Sequence, residues 1–208
     1  MAQAKRKDRE RERRRNDVLE AAEAVFAQKG FYKATMRDIA RRAEFAVGSI
    51  YNMFDSKTDV YRELIQLRVQ EYFERVKDDL GSCTETCERV RAVIRAKLKF
   101  FDERQRFFQI FTHIAPEGRG SPAPGLTQKS RESYRAYLES VAHVFKQGVE
   151  EGVFIDVSPV VLALAVEGMT NAVIAHSIHT GGERITDVTP EQIERIIMEG
   201  IVRKERKA

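Results

Sequence analysis

Residues 35–57, Thr-Met-Arg-Asp-Ile-Ala-Arg-Arg-Ala-Glu-Phe-Ala-Val-Gly-Ser-Ile-Tyr-Asn-Met-Phe-Asp-Ser-Lys, read as two short helices joined by a tight turn and followed by the start of a third. Thr35 precedes a run in which Ile39, Ala40 and Ala43 recur at helical spacing while Arg37, Asp38, Arg41 and Arg42 are polar, so it caps a helix with one buried stripe. Glu44 to Ala46 leaves three residues for the turn. Val47 to Phe54 is then a helix too short to stand alone, held by Ile50 and Phe54 docking into a core. A helix-turn-helix of this kind is a common way for a small domain to present a helix to a DNA groove.

The wet side of the second helix carries Val47, Gly48, Ser49, Tyr51 and Asn52. A glycine inside a helix costs about 1 kcal/mol relative to alanine, so Gly48 either lets a phosphate backbone approach closely or packs against a neighbouring element. Asn52 has the donor and acceptor pair that reads adenine. The hydroxyl of Thr35 at a helix start and the point charge of Lys57 suit phosphates, and Arg37 lies on the exposed face with them. The ring of Tyr51 is expected in the core with its hydroxyl reaching a phosphate. Phe31, Ile39, Ile50 and Phe54 are expected to be core alone.

The stretch from about Val18 to Leu64 resembles the DNA-binding domain of the TetR/AcrR family of one-component bacterial transcriptional regulators. The resemblance is carried by a helix ending at Lys29-Gly30-Phe31, then Thr35, Ile39-Ala40, Ala43, Gly48, Ser49-Ile50-Tyr51, Phe54 and Ser56-Lys57. It implies that Thr35 and Lys57 sit at helix starts against phosphates, while Val47, Ser49, Tyr51 and Asn52 face the major groove. Two residues depart from the family pattern. Glu44 stands where a turn glycine is usual, and Ala46 where a capping serine often stands. Glutamate in a left-handed conformation costs energy that glycine does not, so a different backbone path through the turn is expected.

Charge gives a second clue. Residues 1–15 hold eight Lys or Arg against three Asp or Glu, a net of +5, whereas the whole chain carries +4. A basic arm ahead of a DNA-reading domain would neutralise phosphates or enter a minor groove, and a tail that orders on DNA is expected. A solvated tail and an extension of the first helix with internal ion pairs are the other readings.

With 208 residues, 42% hydrophobic and 33% charged, the chain can bury one good core or two modest ones. The longest apolar run, Val160 to Val166, is far short of a bilayer span, and the basic start has no apolar region after it, so a cytoplasmic protein without membrane contact is expected. Cys83 and Cys87 lack partners at metal spacing and are read as reduced thiols. His176 and His179 have no matching carboxylate, and no phosphate loop, nucleophile elbow or paired carboxylates occur. No metal, cofactor or catalytic residue is expected, and the chain is not read as an enzyme.

Beyond Lys57 the periodicity is helical throughout, with a loop at Pro116 to Gly125. Val160 to Val166 is apolar around the whole helix, and Ile193, Ile196, Ile197 and Ile201 form a stripe on the last helix. Two chains packing these helices as a four-helix interface would cover both, through Val161, Leu164, Ile193, Ile197 and Ile201. The resemblance implies the same dimer, whose two recognition helices suit a palindromic operator.

Eight of the chain's eighteen Phe and Tyr residues fall between Phe100 and Phe145. Such density can line an apolar ligand cavity. The candidate lining is Phe101, Phe108, Phe111 and Tyr137, with His113, Asn171 and His176 as further polar anchors. The resemblance implies a small effector bound there.

The expected architecture is all-α, about nine helices: a basic arm over 1–15, a helix-turn-helix domain over 16–60, and a helical effector-binding and dimerisation domain over 61–208. The expected function is that of a homodimeric regulator, a repressor leaving double-stranded operator DNA when an apolar small molecule binds. The alternative is a constitutive, dimeric DNA-binding or architectural protein without an effector.

Overall fold

A computed structural model describes residues 2–113, 128–180 and 190–202, apart from the side chains of 2–5, 111–113, 130 and 179. The described residues form nine helices: α1 Ala2–Lys33, α2 Met36–Ala43, α3 Val47–Tyr51, α4 Lys57–Ser82, α5 Thr86–Glu103, α6 Gln105–His113, α7 Gln128–Glu150, α8 Pro159–His179 and α9 Pro190–Ile201. Among them the one β feature is an isolated antiparallel bridge between Phe154 and Val202. The expected loop at 116–125 lies outside the described residues.

The chain divides into two compact units, Met1–Arg68 with Arg106–Gln128, and Val69–Gln105 with Lys129–Ala208. The boundary therefore falls inside α4 rather than at residue 60, and α6 from Arg106 onward belongs to the first unit. That assigns Phe108, Phe111 and His113 to the unit containing the helix-turn-helix.

In the first unit, Val18, Leu19, Ala22 and Phe26 of α1 meet Ile39, Ile50, Phe54, Val60 and Leu64, all almost fully buried. Phe26, Phe31 and Tyr61 form a ring cluster with centroids 5.1–5.8 Å apart. Gly30, at φ 74°, breaks the helical path of α1 and turns Phe31 into this cluster, a conformation that favours glycine. Arg68 and Glu23 pair at 2.7 Å inside the same core.

The basic arm is helical and continuous with α1, in contrast to the tail expected from charge alone. Arg14 and Glu10 pair at 2.8 Å across one helical turn, which is how a charged run sustains an exposed helix. Arg15 does a different job. Its guanidinium grips both carboxylate oxygens of Glu63 on α4, donates to the carbonyl of Met53, and lies 4.2 Å over the Phe54 ring.

The second unit packs α5, α7, α8 and α9 around Val90, Ile94, Phe100, Val141, Phe145, Phe154, Ala163 and Val166. Arg95 on α5 grips Glu194 on α9 with two hydrogen bonds of 2.6 and 2.8 Å. Gly148 leaves room for Phe154, whose ring would stand 2.1 Å from an added Cβ. Pro159–Ile178 is long and apolar enough, by length and composition alone, to cross a membrane, yet it carries Glu167 in a buried ion pair within the unit. Cys83 and Cys87 are free thiols.

Candidate functional site

Thr35 opens α2 through a reciprocal cap. Its hydroxyl accepts the Asp38 N–H at 3.1 Å, and the Asp38 carboxylate accepts the Thr35 N–H at 3.1 Å. The same carboxylate takes hydrogen bonds from Lys29 at 2.7 Å and Arg41 at 2.8 Å. The Lys29 ammonium, with the Thr35 groups, draws the Asp38 carboxyl down to about 2. The cap fixes where the first turn of α2 presents Thr35 and Arg37, both exposed.

Glu44 adopts the left-handed conformation, φ 59° and ψ 34°, and its N–H closes on the carbonyls of Ala40 and Arg41. The turn thus keeps the path a glycine would take, and the different path expected from the glutamate does not occur. Phe45 N–H bonding Ala40 at 3.0 Å completes a tight helix end that holds the turn against the local strain. Ala46 caps α3 without a side-chain hydrogen bond.

The helix α3 is only five residues long, and Asn52 is its C-cap rather than an interior residue. Ile50 and Phe54 anchor it in the core. Gly48, Tyr51 and Asn52 are exposed, while Val47 and Ser49 are half-buried. Tyr51 is 52% exposed, so its ring is not a core ring as expected: in the short α3 it is Ile50 that takes the buried position. A Cβ at Gly48 would meet nothing within 4 Å, which removes the packing-glycine reading.

Lys57 is half-buried, and its ammonium donates to the carbonyls of Phe31, Tyr32 and Ala34 at 2.7, 3.2 and 2.7 Å, 4.6 Å from the Phe31 ring. Burial pushes its pKa down. All three ammonium donors hold the connection between α1 and α2, a different employment from the phosphate contact expected of a free point charge.

A groove of about 370 Å³ runs beside α3, lined by Lys7, Arg11 and Arg14 of α1 on one side and by Ser49 and Asn52 on the other. Glu10, Phe45 and Met53 line it as well, so the concavity shared by the helical arm and α3 is mixed in character and cationic at Lys7, Arg11 and Arg14. The sequence reading missed Arg15 as a structural residue. Its signal was present in spacing, because position 15 precedes Val18, Leu19 and Ala22 on the same buried stripe.

Of the candidate ligand residues, Phe101 and Tyr137 are buried in the second unit. Asn171 and His176 are exposed on α8, and Phe108 is half-buried in the first unit. The side chains of Phe111 and His113 lie outside the described residues. Tyr137 belongs to a buried polar chain that the sequence did not announce: Tyr72 to Tyr137 at 2.8 Å, Tyr137 to Glu167 at 2.5 Å, and Lys97 to Glu167 at 2.6 Å. Of the candidate interface residues, Val161 and Leu164 are exposed, together with Val160 and Ile196, whereas Ile193, Ile197 and Ile201 are buried within the second unit.

Two family models match the chain. One, described as bacterial regulatory proteins of the tetR family, covers residues 18–64, and the other, described as a tetracyclin repressor-like C-terminal domain, covers residues 84–203. The chain is 26% identical over 192 residues to the HTH-type transcriptional repressor KstR2 of Mycobacterium tuberculosis strain H37Rv, covering 92% of this chain and 94% of that protein. Its fold resembles the fatty acid degradation regulator FadR from Bacillus halodurans, with a TM-score of 0.79 at 20% identity over 90% of this chain and 95% of that one. It also resembles FadR from Bacillus subtilis in complex with stearoyl-CoA, with a TM-score of 0.75 at 18% identity over 88% and 97% of the two chains.

Proposed function

The chain belongs to the TetR family of bacterial regulatory proteins, and from that premise we propose that it is a dimeric cytoplasmic repressor, released from a palindromic DNA operator by an apolar small-molecule effector. The observation that carries the DNA-reading part is Gly48. Neither its backbone conformation nor its neighbours within the chain require glycine, and the open space over it lets a phosphate backbone come close to α3.

In this reading Asn52, Tyr51, Ser49 and Val47 read base edges, while Thr35 and Arg37 set the register against phosphates. Lys7, Arg11 and Arg14, across the groove from Asn52, add phosphate contacts. Dimerisation uses the exposed apolar residues Val160, Val161, Leu164 and Ile196, and a twofold pairing of that face would place two recognition helices on two half-sites. The buried Ile193, Ile197 and Ile201 shape α9 from behind.

The effector site is assigned to the second unit, with Phe101 and Tyr137 among its walls. The fold shared with a FadR that was captured with stearoyl-CoA supports an effector with a long apolar body. To act, it must bind one of two dimer states more tightly than the other.

The test is fluorescence anisotropy of the purified protein on the DNA immediately upstream of its own gene, against scrambled DNA of equal length, across a salt series. Tight and sequence-preferring binding supports the proposal. Equal, steeply salt-dependent binding to both DNAs, together with no operator discrimination in a genome-wide pull-down of fragments, would overturn it.

A further inference from the structure

We infer that the cleft lined by α1, α2 and α6 is a binding site for a phosphoryl dianion, held between the guanidinium groups of Arg42 and Arg106. All its residues belong to the first unit, whereas the effector walls Phe101 and Tyr137 belong to the second. It is therefore a separate site and does not depend on the effector reading.

The cleft has a volume of about 350 Å³. Helix α1 contributes Ala24, Ala27 and Gln28, α2 contributes Arg42, and α6 contributes Arg106 and Gln109. Spacing explains the convergence. Ala24 and Gln28 are four apart and Arg106 and Gln109 three apart, so each helix turns one face to the same space. The small alanines of α1 leave that space to a ligand. Among the described residues no carboxylate lines it. Neither Arg42 nor Arg106 has a hydrogen-bonding or ion-pair partner among the described residues, in contrast to Arg15, Arg68, Arg95 and Arg104, each of which is paired with a glutamate.

Two positive charges that line one space with no acid between them call for an anion, and the charge count sets its valence. A dianion neutralises the pair, whereas a monocarboxylate leaves one positive charge over. The donors set its shape. Each guanidinium is a rigid fork that meets two oxygens at once, and the carboxamides of Gln28 and Gln109 bring further N–H groups to the lining. A phosphoryl group, with three terminal oxygens and a charge near −2 at neutral pH, answers more of these donors than a planar carboxylate with two. Both arginines are exposed, so solvent screens them and the ligand exchanges readily. Arg106 is also the residue at which the chain returns to the first unit after α5. A ligand bridging Arg106 and Arg42 ties that returning segment to α2, the helix that Thr35 caps.

The experiment is calorimetric titration of the purified full-length protein, in chloride buffer at constant ionic strength, with inorganic phosphate, glycerol 3-phosphate, succinate and acetate. Both phosphates are expected to saturate the protein below about 5 mM, and to bind about tenfold or more tightly than succinate and acetate. Inorganic phosphate within about twofold of glycerol 3-phosphate would identify the phosphoryl group alone as the ligand; a tighter ester would identify a phosphorylated small molecule whose body also fills the cleft. Arg42→Gln and Arg106→Gln lie at exposed positions with no partner to lose. Each should unfold at the parent's temperature in chloride and lose about tenfold in phosphate affinity. Failure of both phosphates to saturate, undiminished affinity in both variants, or succinate binding as tightly as phosphate would overturn the inference. A salt slope of DNA binding reduced by about 0.9 in Arg106→Gln, measured without phosphate, would assign the cleft to the DNA backbone and overturn it as well.

Discussion

The ammonium of Lys57 donates a 2.7 Å hydrogen bond to the carbonyl of Ala34, the residue just ahead of the cap that opens α2. Lys57 begins α4, so one charge joins the start of the long helix to the end of the α1–α2 connection. Its remaining donors go to the carbonyls of Phe31 and Tyr32. A side chain so engaged positions Thr35 and is not free to neutralise a phosphate.

Lys57→Ala is therefore expected to lower the unfolding free energy by about 2 kcal/mol, the range for hydrogen bonds to a charged group. It should weaken binding to all DNA through the displaced α2 while leaving the slope of log K against log salt unchanged. A direct phosphate contact would reduce that slope by about 0.9. Denaturant unfolding and a salt series of anisotropy titrations separate the two.

Gly48 predicts opposite signs for stability and function. Open space around its missing Cβ means Gly48→Ala gains helix propensity, raising stability by up to about 1 kcal/mol. If DNA approaches α3 at this position as proposed, the added methyl stands in its way, and operator affinity should fall by about tenfold or more. An alanine variant that binds as tightly as the parent would show that α3 needs no close approach at this position.

Glu44 and Ala46 are two places where the turn is less stable than its backbone permits. Relieving the left-handed glutamate with Glu44→Gly should raise the unfolding free energy by about 1 kcal/mol. Supplying the missing cap with Ala46→Ser should add about 0.5–1 kcal/mol. Measured singly, because the two positions share one turn, a loss of stability from either change would refute the corresponding argument.

These positions also mark the limit of what the residues alone disclose. The placement of Thr35 ahead of α2 and the phase of Ile39, Ala40, Ile50 and Phe54 are local patterns, and they located α2, the start of α3 and their core face, although α3 ends at Tyr51 and not at Phe54. The Glu44 conformation was hidden because residue preference pointed the wrong way, and hydrogen bonds from the neighbouring helix end overrode it. The carbonyls that hold Lys57 lie 23–26 residues away and carry no side-chain signature. Helix α8 is apolar on all sides, so its phase was undetermined, and Asn171 and His176 proved to be exposed. On α9 the apolar stripe was legible, but whether Ile193, Ile197 and Ile201 faced their own unit or a partner was not.

Acid should reveal the α2 cap. The Asp38 carboxyl is held at about 2 in the folded protein against an ordinary value of 3.8, so between these values the unfolded chain binds more protons. Its contribution is complete above pH 3.8 and is lost as pH falls through about 2. Unfolding free energy measured from pH 5 to pH 2 should therefore drop less steeply in Asp38→Asn than in the parent. Identical slopes would mean that the Lys29 and Thr35 interactions do not persist in solution.

The basic residues of the arm divide by whether they line the groove beside α3 or are held by the protein core. Lys7 and Arg11 line the groove beside Asn52, and the combined Lys7→Ala and Arg11→Ala change should leave stability within about 0.5 kcal/mol. It should reduce the salt slope of DNA binding by about 0.9 for each phosphate released. Arg15 is bonded to Glu63 and Met53 and lies over Phe54, so Arg15→Ala should destabilise the first unit by about 2 kcal/mol with the slope unchanged. Two adjacent stretches of one charged run then behave oppositely, because position 15 lies on the stripe that α1 buries while the groove-facing positions continue beyond the end of that core. A salt slope that moved with Arg15 but not with Lys7 and Arg11 would reverse this assignment.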